Sequence, residues 1–284
     1  MLYRVEYNEK TLRHVQQCEL EILRDFVSIC EREGLIYFAW GGTGIGALRH
    51  QGFIPWDDDI DVGLPADDHD RLLEIFRDEF SDKYAVINAS TDINYPLATT
   101  RIMLKGTQFC EETLSKLPLD LGIFLDVYSF DPVADDERSY RKQAWDAWFW
   151  AHVRILLSIP DPVILVGGWK GQAIRLACRL GFGLLRLLGV SRERVLARET
   201  EARRRYRGRE TKRIAYLCDT NRLTATYSWD DLLPLQKLPF EGMELSFSAN
   251  LDKELWDLYG DYMQLPPVEK RKNHYPARLD FGPY

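Results

Sequence analysis

Residues 40–65 read WGGTGIGALRHQGFIPWDDDIDVGLP. A glycine cluster leads into a basic pair, and aspartates then stand at 57, 58, 59 and 61. Like charges at that density repel, so a metal ion, solvent or a cation-lined groove must offset them. Ile60 and Val62 alternate with Asp59 and Asp61, which predicts a strand over 59–64. In such a strand the apolar pair faces a core, and the two carboxylates share the other face about 6.5–7 Å apart. Asp57 and Asp58 follow Pro55-Trp56 and read as the turn into that strand.

Four readings compete for this stretch. Gly42-Thr-Gly44-Ile-Gly46-Ala47 satisfies a dinucleotide fingerprint, but that motif needs a long helix behind the glycines, and Gly52 and Pro55 end any helix within a turn or two. Asp57, Asp59 and Asp61 fit the start of a calcium loop, yet Val62 stands where the loop needs glycine and Asp68 where it needs glutamate. A solvated acidic turn accounts for Asp57 and Asp58 and leaves the alternation of Asp59 and Asp61 unexplained. A divalent-metal site for phosphoryl chemistry accounts for both: paired carboxylates hold Mg²⁺ against phosphate oxygens, and glycines admit a phosphate to the backbone amides. A third carboxylate is available in GIFLDVYSFD (122–131). There Asp126 sits mid-strand among apolar residues, where it needs an arginine or a metal. Asp131 reads as the start of a turn before Pro132.

The 284 residues suit one core plus an elaboration, and 45% hydrophobic with 29% charged content is globular. The net charge of −7 argues against a nucleic-acid binder and conceals an asymmetry. From Pro55 to Asp82 eleven acids face two arginines, whereas from Pro162 to Arg213 fourteen Lys and Arg face four Glu. Five scattered cysteines, none in a CxxC spacing, fit a reducing compartment. The N-terminal MLYRVEYNEK has no apolar run, and no stretch reaches the length of a spanning helix. A cytoplasmic protein is expected.

Apolar spacing predicts a helix over 9–33 closed by Gly34, a strand LIYFA (35–39), at most a turn or two of helix at ALRH, and a helix starting at Pro65. YAVINAS, LATTRIMLKG and GIFLDVYSF read as strands. A Trp-bearing helical region (145, 148, 150), an apolar-and-arginine segment (162–190) and an Arg-rich helix (191–213) follow. The tail reads as a short strand IAYL, a hairpin KLPFEGMELSF and a helix DKELWDLYG. An α/β or α+β catalytic core over 1–132 is expected, with a mostly helical part over 133–284.

The spacing GG-T, fifteen residues, then D-h-D-h and a later h-D-h strand resembles the nucleotidyltransferase superfamily. The string GGTGIGALRHQGFIPWDDDIDVG resembles one branch, the LicD family, which includes the fukutin-related proteins. GIFLDVYSFD and FEGMELSF…YGDYMQLPPVEKR…H (240–274) are similar to that family's third-carboxylate strand and C-terminal block. The resemblance implies an α+β fold with a nucleotidyltransferase-like mixed sheet, and a tail that completes the active site. It implies transfer of phosphocholine or a polyol phosphate from CDP-choline or a CDP-polyol to a glycan hydroxyl, with release of CMP. Asp59, Asp61 and Asp126 would be the catalytic carboxylates and Mg²⁺ ligands, with Mn²⁺ an alternative. Asp126 would bind metal or accept the acceptor's proton. Gly41, Gly42 and Thr43 would line the phosphates. Arg49 and His50, one turn beyond the glycines, and Arg101 and Lys105, on the strand before Asp126, are further phosphate candidates, and His274 is placed to cover the site. Transfer of NMP with pyrophosphate release, and a catalytically silent glycan- or membrane-binding member, are the alternatives. A glycosyltransferase with a D-x-D motif is disfavoured by the upstream GGT.

In the 162–190 segment, Arg175, Arg179 and Arg186 fall within about 40° on a helical wheel, and Trp169, Ala173, Leu176, Leu180, Leu184 and Leu187 cluster opposite. An apolar face beside a purely cationic stripe fits either a helix lying in an anionic membrane surface or one packed on the core with its arginines meeting the acidic half. The first would place the protein peripherally on the inner face of the membrane, near a lipid-linked acceptor. The tryptophans at 145, 148 and 150 suit core packing or sugar stacking.

Overall fold

The computed structural model describes residues 7–160, 168–219, 223–271 and 273–284. Helix α1 spans Glu9–Glu33; the Asn8 side chain accepts from the Lys10 amide at its start, and Gly34 closes it at φ 66°. Its buried stripe of Val15, Ile22, Leu23, Phe26 and Cys30 recurs at helical period and packs into the main core. There follow β1 (Phe38–Ala39), α2 (Gly41–His50), β2 (Asp61–Pro65), α3 (Ala66–Glu79), β3 (Tyr84–Ile87), β4 (Thr100–Leu104), β5 (Gln108–Glu111) and β6 (Phe124–Val133). The second half holds α4 (Glu137–Ser158), α5 (Gly168–Leu187), α6 (Arg192–Arg203), β7 (Arg213–Ala215), β8 (Thr226–Ser228) and α7 (Trp229–Leu232). A hairpin of β9 (Gln236–Phe240) and β10 (Met243–Phe247), then α8 (Leu251–Tyr259) and β11 (Pro276–Asp280), complete it.

The main sheet runs β1-β2-β6-β4-β3, and β7 joins the far end of β6 and carries β8. The β2·β6 pair is parallel and the other pairs are antiparallel, so the fold is α+β with a mixed sheet, as expected. The tail returns as β11 alongside β5. Ile60, Val62, Leu64, Leu125 and Val127 are fully buried, the outcome the alternation required.

Several expectations change. The strand of the acidic motif begins at Asp61 rather than Asp59. The glycines do not form a turn ahead of a helical stub: they are the first turns of α2, which runs ten residues. Of LIYFA, Phe38–Ala39 alone pairs as a strand. Asp131 lies inside β6, fully buried and ion-paired to Arg203 at 2.8 Å, rather than opening a turn. The Arg-rich helix ends at Arg203 and tightens into a 3-10 turn over Arg204–Tyr206. Residues 162–167 of the apolar-and-arginine segment lie outside the described residues. Short β5, β8 and β11 were not foreseen; β5 and β11 depend on each other across the length of the chain, and β8 depends on β7, rather than on their own patterns.

The charge asymmetry resolves in part into ion pairs. Arg204 bonds Asp70 at 2.9 Å, and Arg207 reaches Asp67 and Asp70, both at 2.6 Å. The basic run after α6 therefore neutralises the acidic first turn of α3.

Candidate active site

The acidic motif meets three elements at the start of β2. Parallel pairing sets Asp61 beside Asp126, and antiparallel pairing sets Arg101 of β4 beside Asp126 on its other side. Three in-register residues on adjoining strands share one face, so the two carboxylates and the guanidinium form a row. Arg101 donates through Nε to Asp126 Oδ1 at 3.2 Å and through Nη1 and Nη2 to Glu111 at 3.0 and 2.7 Å. Its guanidinium also lies 3.6 Å over the Phe124 ring. Expected to meet phosphate, Arg101 is instead 2% exposed and committed to orienting two carboxylates. The buried salt bridge weighed for Asp126 is thus present.

Asp59 precedes the strand and joins the cluster from the loop. Burial, and the charges of Asp59 and Asp126, push Asp61 well above the usual carboxylate range. Burial likewise raises Asp59, with His274 acting against the rise, and burial with the neighbouring aspartates raises Asp57 strongly. Asp61 Oδ1 is buried with no hydrogen-bond partner, and the Asp61 amide donates to Thr43 Oγ1 at 2.9 Å. Thr43 therefore ties α2 to β2.

The N-terminus of α2 points at this cluster. Its cap residue, Trp40, offers no side-chain acceptor, so the first-turn amides are left for another partner. Gly41 sits at φ 60°, and a Cβ there would lie 3.4 Å from Asp61 Oδ2; one on Gly42 would lie 3.2 Å from Asp57 Oδ2. Gly44 and Gly46 serve packing instead: a Cβ on Gly44 would reach Leu251 of α8 at 3.0 Å, and one on Gly46 would sit 2.3 Å from the Gly52 carbonyl oxygen.

Asp58 is no surface turn: it is fully buried. It accepts from the Tyr7 hydroxyl at 2.7 Å and from the His274 amide at 2.7 Å. The His274 ring lies 3.5 Å from Asp58 and 3.4 Å from Asp59, and these carboxylates raise its pKa to about 10 against the opposing effect of burial. Asp58, Asp59 and His274 present ligand atoms within 4.8 Å of one another.

Sequence reading missed Glu19, which lies fully buried on α1 with neither carboxylate oxygen bonded. Burial, then Asp58, Asp59, Asp57 and Asp126, push its pKa well upward, which places it against the cluster. The signal was present: Glu19 falls on the stripe of Val15, Leu23 and Phe26, where a carboxylate is costly without a purpose. Tyr128, two residues beyond Asp126, and Tyr259, beside Gly41, also border Asp61.

The remaining candidates lie apart. Arg49 donates to His50 Nε2 at 2.9 Å and to the Tyr262 carbonyl at 2.5 Å, at the far end of α2 roughly 12 Å from its first amides. Burial and Arg271 lower Arg49, and burial and Arg49 lower His50. Lys105 donates to the Ser81 carbonyl, about 13 Å along β4 from Arg101.

The carboxylates suit a hard divalent cation, and the unbonded oxygens of Asp61 and Glu19 are what such an ion would satisfy. Residues 34–152 match the model of the LicD/FKTN/FKRP nucleotidyltransferase domain. Over 129 residues, 45% of this chain, the protein is 36% identical to the lipopolysaccharide cholinephosphotransferase LicD of Haemophilus influenzae, spanning 47% of that protein. Over 60 residues, 20% of this chain, it is 38% identical to the human ribitol 5-phosphate transferase FKRP, spanning 12% of that protein. The chain thus aligns with less than half the length of either relative. The GGT helix, the paired aspartates and the third-carboxylate strand all lie inside residues 34–152, the segment that matches the LicD/FKTN/FKRP nucleotidyltransferase domain.

Proposed function

We propose that this protein transfers a substituted phosphate, phosphocholine or a polyol phosphate, from a CDP-linked donor to a hydroxyl of a glycan. The observation that carries the reading is the in-register row of Asp61, Asp126 and Arg101, with Asp61 Oδ1 unbonded, beside the uncapped N-terminus of α2. Asp59, Asp61 and Asp126 would hold Mg²⁺ or Mn²⁺, which when bound offsets negative charge on the attacked and leaving phosphates. The amides of Gly41, Gly42 and Thr43 bind phosphate oxygens at the positive end of α2. Arg101 holds Asp126 by Oδ1, which would leave Oδ2 for the ion. This reading assigns no phosphate role to Arg101, which is buried against Asp126 and Glu111, or to Lys105, which donates to the Ser81 carbonyl. His274, protonated at neutral pH, sets one positive charge against Asp58 and Asp59 and limits the cluster's net charge.

In the transfer, the acceptor oxygen forms a bond to the phosphorus distal to cytidine and the bond to CMP breaks. CMP leaves with the bonding pair, and the hydroxyl proton passes to a carboxylate of the cluster and on to solvent. The activities of the two relatives, a cholinephosphotransferase and a ribitol 5-phosphate transferase, support this reaction class.

The test is product analysis. With Mg²⁺, the protein is incubated with CDP-choline, CDP-ribitol, CDP-glycerol or CDP-ethanolamine and a glycan acceptor. Acceptor-dependent CMP release from one donor is the expected result. Pyrophosphate release from CTP, with no CMP from any donor, would replace the reading by nucleotidyl transfer.

A further inference from the structure

We propose that α5 lies flat on an anionic phospholipid surface, with Trp169, Leu176, Leu180, Leu184 and Leu187 in the acyl boundary. The transfer chemistry does not use this helix, so the inference stands apart from it.

The helix has two opposed faces. Gly171 is its one buried residue, and Cys178, Phe182 and Leu185 are half-buried along the same line. The spacing of seven, four and three residues forms a seam. A Cβ on Gly181, next to that seam, would lie 3.3 Å from Leu156 of α4. At about 100° per residue, Trp169, Leu176, Leu180 and Leu187 fall within roughly 40° of one another and roughly 140–180° from Gly171. The apolar face therefore points away from the body of the protein. Exposure agrees: Trp169 75%, Leu176 58%, Leu180 66%, Leu184 56% and Leu187 84%. An exposed contiguous apolar face of this kind marks a binding surface.

Charge selects the occupant. Helix α5 carries Lys170, Arg175, Arg179 and Arg186 and no acid. Among the described residues, Lys170, Arg175 and Arg186 pair with no carboxylate; Lys170 and Arg186 lie over the rings of Trp169 and Phe182. The basic run after α6 spends its charge on α3, whereas Lys170, Arg175 and Arg186 make no such pair among the described residues. Arg175 and Arg186 stand roughly 100–120° from the centre of the apolar face, so their long side chains can reach back to the headgroups when that face is immersed. Two copies of α5 meeting face to face would bring cations together with no acid to answer them, which disfavours self-association. No helix of the described residues is long and apolar enough to cross a membrane, so the helix would rest on the surface.

The full chain is floated with vesicles of phosphatidylcholine alone and of phosphatidylcholine with phosphatidylglycerol, at low and high salt. Binding to the anionic vesicles, weakened by salt, is expected, and bromolipid quenching should fall when Trp169→Phe removes the immersed indole. Arg175→Gln with Arg186→Gln should weaken partition about thirtyfold. Leu180→Glu with Leu184→Glu should abolish it, while circular dichroism and melting temperature stay unchanged because both positions are exposed. Failure of the wild type to bind anionic vesicles would overturn the proposal. So would unchanged binding by the Leu180→Glu, Leu184→Glu variant. A wild-type dimer in sedimentation equilibrium that this variant converts to monomer would assign the face to a second copy instead.

Discussion

Asp61→Asn should make the cation-free protein more stable while removing its response to Mg²⁺. Asp61 and Asp126 stand opposite one another on adjoining parallel strands, which lie about 4.8 Å apart. Two full charges at roughly 5 Å repel by about 3 kcal/mol at an effective dielectric constant near 20. Arg101 offsets part of this at Asp126, and proton uptake relieves part at Asp61, so a net gain of about 1–2 kcal/mol is expected at pH 8. Because the folded-state pKa of Asp61 is raised, the native protein holds a proton that the unfolded chain releases near pH 4. Wild-type stability from this group is therefore greatest at low pH and declines as pH rises. Asparagine does not titrate, so its advantage should vanish toward pH 4 and grow toward pH 8. For a chain of this size the gain corresponds to a melting temperature higher by about 2–6 °C. Calorimetry in chelator at both pH values, then with Mg²⁺, reads all of this: the ion should raise the wild-type transition and leave the variant's nearly still. A variant less stable than wild type at pH 8 in chelator, or one keeping the full Mg²⁺ shift, would refute the account of the cluster.

Other residues give independent checks. Arg101→Met leaves Asp126 and Glu111 buried and unpaired, so urea denaturation should show a loss of about 3–5 kcal/mol. Burial raises Glu254 of α8 to about 7, with Ser248 donating to its Oε2. Its folded-state proton is held where the unfolded chain has lost it, so stability should fall as pH rises from about 4.5 to 7 and level off above. The total is roughly 3 kcal/mol, and Glu254→Gln should flatten that slope in chemical denaturation across the range. Gly46→Ala would set a methyl 2.3 Å from the Gly52 carbonyl oxygen and should cost about 1–3 kcal/mol. Gly183→Ala, mid-helix in α5 with nothing within 4 Å, should stabilise by about 0.5–1 kcal/mol; parallel thermal melts compare the two.

What the sequence made legible follows from where its information is local. Helix α1 was read to the residue because its caps and stripe lie within the segment itself. The facing of Asp61 was legible because Ile60 and Val62 leave it one side to take. Asp58 was misread because its partners, Tyr7 and His274, come from opposite ends of the described chain, and no local pattern announces them. Arg101 illustrates the same limit: a basic residue on a strand looks like a phosphate ligand until the register places it opposite an acid. The glycines were judged by a motif in which helix follows glycine, whereas here close packing on Leu251 and Gly52 requires glycine inside the helix.

Asp58 has a further consequence, in time rather than in space. Its two donors come from residues 51 positions before it and 216 positions after it. At about 5–20 residues per second of synthesis, His274 would follow Asp58 by roughly 10–40 s. Throughout that interval Glu19 and the aspartates of the motif can gather without the imidazolium that later faces them. A closure of such long range is also slow once the chain is complete, since contacts distant in sequence form late. The acidic centre thus gains His274 last, and on the function proposed above a newly made chain would most need free divalent cation before that residue arrives.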